Sequence, residues 1–274
     1  MTIKNNATAK HFITRLKTYQ SPIEREKTLR YFKTPAKGEA DQFIGVRMGQ
    51  VFTLVKEFIT MTPDEIEKLL ESKIHEVRAG ACSIMDKQAR SKKTTPERRK
   101  ELYDLYLRRH DRINNWDLVD VCAIHVIGGY LFDKPRHILY KLARSKNMWE
   151  RRTAIVSTAY FIRKGELDDT YNLVEMLLNE KEDLVHKATG WMLRFAGDKD
   201  RTRLLNFLDH HAPTMPRVAL RYSIEKLDNQ QRAHYLGLKI KRGDGAVNSR
   251  SRSEANAIQA FKSSRVKSGK SSSI

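Results

Sequence analysis

Cysteine is almost missing from this chain of 274 residues: Cys82 and Cys122 are the only two, and both sit inside apolar helical patterns. That excludes a disulfide framework and points to a reducing compartment. No run of 18 apolar residues occurs, and the opening "MTIKNNATAKHFITRLKTYQ" lacks the apolar core of a secretion signal. No membrane association is therefore expected; the protein should be soluble and intracellular. CxxC and HExxH are lacking, and the "DHH" cluster (Asp209 to His211) has no companion at metal-ligand spacing, so neither a metal nor a cofactor is expected. GxSxG, a P-loop and a Cys-His set with supporting context are missing too. Acyl transfer, nucleotide hydrolysis and two-metal nuclease chemistry thus leave the front rank.

Acidic residues are in short supply. Lys and Arg number 52 against 33 Asp and Glu, a formal net charge of +19. Residues 239–274 hold nine Lys/Arg and two Asp/Glu, so that tail carries +7 and the body about +12. A body basic in its own right calls for an anionic partner, most often nucleic acid. From Arg242 the chain turns rich in Ser, Gly, Lys and Arg, with little apolar surface to offset its ordering entropy. The expected organisation is a folded domain over 1–238 and a mobile basic tail over 239–274.

Strand-like alternation is scarce, whereas apolar residues recur at three and four, as in "VFTLVKEFI" (Val51 to Ile59), "IEKLLES" (Ile66 to Ser72) and "TYNLVEMLLNE" (Thr170 to Glu180). "TPDE" at Thr62 and "TPERR" at Thr95 each place Thr at an N-cap and Pro at the first helical position, and Gly165, Gly197 and the Pro213/Pro216 pair mark other boundaries. The reading is all-α, about a dozen helices of 10 to 18 residues.

Four segments share a loose pattern: "HEVRAGACSIM", "MWERRTAIVSTAYFI", "DLVHKATGWMLRF" and "MPRVALRYSIEKL". Aligning Arg78, Arg152, Lys187 and Arg217 lets the Trp116 helix enter with Asp120 at the same place, at spacings of 42, 32, 35 and 30 residues. A helix-pair repeat near 35 residues is the signature of HEAT- or armadillo-type solenoids. Equivalent positions would then form a row on a concave face, four cations around one acid, suited to a phosphate backbone.

Two ring-and-charge pairs fall on that row: Trp116 with Asp120, and Trp191 with Lys187, each four residues apart and so on one helical face. Burying an unpaired carboxylate is costly, so Asp120 is either paired with a cation or open to a wet groove. Thr189 and Gly190 beside Trp191 are poor helix formers and would let another surface approach closely. One carboxylate beside electron-rich rings suits a reaction that develops positive charge. Breaking the N-glycosidic bond of a nucleotide does so, and a base already cationic needs no strong general acid to leave.

From about Tyr31 to Leu227 the chain resembles the AlkD-type DNA alkylation repair glycosylases, which are built from HEAT-like repeats. The carriers are "LRYFK" (Leu29 to Lys33), "WDLVD" (Trp116 to Asp120), "NMWERRTAI" (Asn147 to Ile155) and "KATGWMLR" (Lys187 to Arg194). The resemblance implies removal of N3- and N7-alkylated purines from duplex DNA without a deep base pocket, by a monomer in the cytoplasm, at the bacterial nucleoid or otherwise inside the cell. It makes Asp120 the catalytic carboxylate, open to solvent between the rings of Trp116 and Trp191, Arg152 a cation on the DNA nearby, and Tyr31 an aromatic that approaches it. Arg47 enters through "GVR", the one loose match within 38–50, and Arg78, Lys187 and Arg217 join as phosphate contacts. Two other readings stay open: a non-catalytic scaffold for damaged or branched DNA, and a protein-binding solenoid.

Overall fold

The computed structural model describes residues 7–32 and 41–238, apart from the side chain of Tyr31; the tail expected over 239–274 lies outside the described residues. The chain is all-α, and among the described residues no strand forms; a single isolated bridge joins Gln42 to Ile74. The first helices are α1 (Ala9–Lys17), α2 (Pro22–Tyr31), α3 (Met48–Val55), α4 (Pro63–Leu70), α5 (His75–Arg90) and α6 (Pro96–Arg108). Then come α7 (Trp116–Ala123), α8 (Gly129–Leu131), α9 (His137–Leu142), α10 (Met148–Ser157) and α11 (Ala159–Arg163). The last are α12 (Asp168–Met176), α13 (Asp183–Gly197), α14 (Arg201–His211), α15 (Arg217–Ser223) and α16 (Asn229–Gly237). None is long and apolar enough to cross a membrane.

Local chemistry sets the starts. Thr95 Oγ1 accepts from the Arg98 amide with Pro96 at the first helical position; Thr62 holds the equivalent place before Pro63 without a side-chain cap bond. Asn115 Oδ1 accepts from Trp116 N at 2.8 Å, and Asn147 Oδ1 from Trp149 N at 3.0 Å, so an asparagine opens both helices that carry the central residues. Several helices fall short of the expected ten residues. One cause is that the helix begun by α7 does not end at Ala123: it widens into a π-helical stretch over Ile124–Gly128 and resumes as α8.

The segments aligned by sequence are neighbours in space. α5 packs on α7, α7 on α10, α10 on α13 and α13 on α15, a row of consecutive repeat helices; α4, α6, α9, α12 and α14 pack against that row. This is a helical-repeat fold in which each unit buries its apolar stripe on the next. One continuous cluster of Leu, Ile, Val, Phe and Met fills the space between layers, from Phe12 to Tyr235. Gly190 shows how tight the row is. A Cβ there would lie 2.3 Å from Ala219 O and 2.6 Å from Tyr222 Cβ. The surface that the small residues at 189–190 admit is therefore α15 of the same chain.

A buried polar node ties α10 to the layer behind it. Thr153 Oγ1 meets the Tyr106 hydroxyl at 2.8 Å and His110 Nε2 at 2.9 Å. Burial, the largest influence on both rings, keeps the Tyr106 phenol well above its usual pKa and His110 below its own. Next along the helix, Arg151 donates to Glu180 and to the carbonyls of Ser145 and Lys146, bracing the turn before α10. Arg152 is thus presented from a backbone fixed on both sides.

Candidate active site

Asp120 and Arg152 meet across the α7–α10 contact. Arg152 Nε donates to Asp120 Oδ1 at 3.1 Å and Nη2 to Oδ2 at 2.7 Å, while Nη1 donates to the Leu184 carbonyl at the start of α13. The guanidinium fork thus spans three consecutive helices of the row, holding both oxygens of one acid. The Arg152 side chain is 5% exposed and that of Asp120 20%. Burial raises the Asp120 pKa; the Arg152 charge and its hydrogen bonds pull the other way without cancelling the rise.

This corrects the expected picture of a free carboxylate between two indoles. Of the two alternatives left open by the Trp116/Asp120 spacing, pairing with a cation is realised, though a fifth of the acid's surface stays open. The two indoles sit on α7 and α13, either side of α10 in the row, and neither is joined to Asp120 by a bond or ring contact among the described residues. Trp116 stacks on Phe32 with centroids 5.6 Å apart and planes 14° from parallel. Trp191 packs, half-buried, against the core.

The row of cations also needs correcting, for a row of helices is not a row of free charges. Arg78 is 2% exposed and donates to Asp41, to Asn114 Oδ1 at 3.3 Å and to Ser72 O at 3.0 Å. Arg152 is committed as described. Arg217 reaches the carbonyls of Leu236 and Leu238 at 2.7 and 3.5 Å, capping the end of α16. Arg47 is two-thirds exposed and donates to Glu24 at 2.7 Å. Lys187, half-buried on α13, has no hydrogen-bond or ion-pair partner among the described residues. The Tyr31 side chain lies outside the described residues.

Sequence reasoning missed the polar lattice beside Trp116. His75, 2% exposed at the start of α5, lies between two acids, Nδ1 2.9 Å from Asp41 Oδ2 and Nε2 2.7 Å from Asp117 Oδ2. Burial works against its charge, but hydrogen bonds and charges of Asp117 and Asp41 outweigh it and raise the pKa to about 9. The Asp41 carboxyl, pushed up by burial, is pulled further down by His75, Arg78 and Asn115, and ends well below the usual carboxylate range. Phe32 and Phe43 close over the imidazole with centroids 4.9 and 4.8 Å away. A signal existed: His75 and Asp117 are 42 residues apart, the same offset that aligned Arg78 with Asp120. Among the described residues no cluster of metal-ligating side chains forms.

Three comparisons bear on identity. The solved structure titled predicted DNA alkylation repair enzyme from Enterococcus faecalis is similar in fold, with a TM-score of 0.62 and 17% identity over 77% of this chain and 97% of that one. Comparison with curated proteins gives no match. The sequence itself matches the family described as DNA alkylation repair enzyme over residues 12–227, which take in Trp116, Asp120, Arg152 and Trp191 together with the helices that present them, and the chain belongs to that family.

Proposed function

We propose that the chain is a DNA glycosylase that hydrolyses the N-glycosidic bond of cationic N3- or N7-alkylated purines in duplex DNA, acting as a monomer inside the cell. The observation that carries this reading is an aspartate clamped by a bidentate arginine yet still one-fifth open at the face shared by α7 and α10. As the bond from C1′ to the base nitrogen lengthens, the sugar gains positive charge, and the electron pair leaves with a base that becomes neutral. A carboxylate already fixed by Arg152 meets that charge without reorganising. Water then adds to C1′ and loses a proton. In this scheme Asp120 touches the reacting sugar. Arg152 positions it. Trp116 and Trp191 offer indole surface to the lesion-bearing nucleotide, and Lys187, with its ammonium unspent, takes a phosphate.

One observation favours the alternative of a non-catalytic DNA-binding scaffold: Arg152 already neutralises Asp120, as it would in a purely structural pair. Incubation with a duplex carrying 7-methylguanine separates the two. The glycosylase releases free base in proportion to enzyme and time; a scaffold binds the duplex in a salt-sensitive way and releases none.

A further inference from the structure

A concavity lies where the end of α5, the start of α6, the π-helical stretch, α8 and α11 meet. It encloses about 330 Å³ and is walled by Arg90 from the end of α5, Lys92 from the following turn, Arg99 from α6, His125 from the π-helical stretch, Tyr130 from α8 and Tyr160 from α11. That volume is at the small end for ligand pockets but suits a phosphate group and what it is attached to. No carboxylate lines it.

Its polar groups are donors with spare capacity. Lys92 has no partner among the described residues. Arg99 spends one Nη2–H on Ser91 O at 2.8 Å, and its Nε is a buried donor without a partner there. Arg90 keeps a single long contact, 3.4 Å to Asp86. Neither the Tyr130 nor the Tyr160 hydroxyl has a hydrogen-bond partner among the described residues. His125 is occupied: Arg163 Nη1 lies 3.1 Å from its Nε2, and because a guanidinium can only donate, Nε2 accepts and Nδ1–H donates to Asp86 at 2.7 Å. That chain holds the imidazole as a fixed wall, and Asp86 divides its oxygens between His125 at Oδ1 and Arg90 at Oδ2, the latter by the long contact only.

The backbone is adapted to this wall. The helix widens to π-helical turns over Ile124–Gly128, an irregularity found frequently at functional sites. A Cβ on Gly128 would meet Ser157 O at 2.2 Å, and one on Gly129 would lie 3.3 Å from Tyr160 Cε2. Gly128 is what lets the backbone of α10 come so close, and Gly129 leaves the Tyr160 ring room beside the pocket. Arginine, lysine and tyrosine side chains around one pocket whose lining holds no carboxylate are a donor set that suits phosphate oxygens.

We propose that this pocket is a phosphate-binding site, taking a phosphate group of a DNA strand or a free phosphate through Arg90, Lys92, Arg99 and the hydroxyls of Tyr130 and Tyr160. It stands apart from base release, because among the described residues none of these is hydrogen-bonded or ion-paired to Asp120 or Arg152.

The test is a ¹H–¹⁵N titration of the full chain with inorganic phosphate at ionic strength matched by chloride. Saturable shifts at the His125, Val126 and Gly129 amides are expected. They should vanish in the Lys92→Gln/Arg99→Gln double variant, weaken several-fold in Tyr160→Phe, and persist in Asp120→Asn and in Lys10→Gln, which alters an exposed lysine of α1 outside the pocket lining. Unperturbed dispersion elsewhere in each spectrum shows that the variants fold. A second titration uses an unmodified DNA duplex. If the duplex shifts the same amides and phosphate competes with it, the source is a strand phosphate; if inorganic phosphate alone shifts them, the source is free phosphate. Shifts that never saturate, that spread evenly over exposed lysines, or that survive in the double variant overturn the proposal. Because Asp120→Asn keeps these shifts, loss of base release and loss of phosphate binding are separate failures.

Discussion

Two charged regions share α7 and treat their charges differently. At its first turn, Asp117 joins a lattice in which every formal charge is answered within the chain: His75 between Asp117 and Asp41, and Arg78 on Asp41, Asn114 and the carbonyl of Ser72. Three residues later Asp120 is answered by a single buried arginine and keeps a fifth of its surface open. The two acids differ by less than one helical turn, yet one belongs to a closed network and the other to a pair with a free side. What separates a structural charge from one available to a ligand here is not the residue type or its place in the repeat. It is whether the partner belongs to a wider network: His75 is shared between Asp117, 11% exposed, and Asp41, whereas among the described residues Arg152 holds no acid but Asp120, which stays 20% exposed.

The sharpest way to break this contrast is to remove a lattice cation. Arg78→Ala leaves Asp41 short of a partner in a buried site and should cost about 3–5 kcal/mol in urea unfolding; a cost under about 1 kcal/mol would mean the lattice is solvated after all. Next in size is pH. The His75 pKa stands at about 9 in the fold, above the ordinary 6.5, so its stabilisation is fully present below pH 6.5 and is lost as pH rises through 9. The shift corresponds to about 3 kcal/mol. Unfolding free energy should fall by that order between pH 6.5 and 9.5, and His75→Gln should flatten that slope. Gly190→Ala probes the packing behind the open pair. Its methyl meets the α15 backbone and should destabilise by about 1–3 kcal/mol. Smallest in stability is Lys187→Gln, expected within about 0.5 kcal/mol of wild type. The same change should weaken DNA binding and reduce the slope of log affinity against log salt by about 1.

The helix row was legible because it depends on spacing alone: residues 78, 120, 152, 187 and 217 fall on helices that pack in that order. The cap signals at Thr62 and Thr95 were legible for the same local reason. What spacing could not show is where a long side chain spends its hydrogen bonds. Arg78 and Arg152 share a register with Lys187, but Asp41 arrives from a loop far away in sequence and Leu184 from a neighbouring helix, and both arginines are consumed. The π-helical stretch after Ala123 was also invisible, since its apolar pattern reads as an ordinary helix and only Gly128 and Gly129 hint at a close neighbour. At the candidate site, the helices that carry Asp120 and Arg152 could be read from the sequence; pairing of Asp120 with a cation appeared there as one of two alternatives, and Arg152 was expected on DNA instead.

If the open side of Asp120 meets the sugar cation, as proposed, its charge and not its shape sets the rate of base release. Release of 7-methylguanine from a methylated duplex is followed for wild type and Asp120→Asn side by side, with duplex affinity measured on the same preparations. Base release should fall by about 100-fold or more in Asp120→Asn while affinity changes little, because an amide retains the shape but not the charge. Equal release by both proteins, or none by wild type, would contradict that role of Asp120.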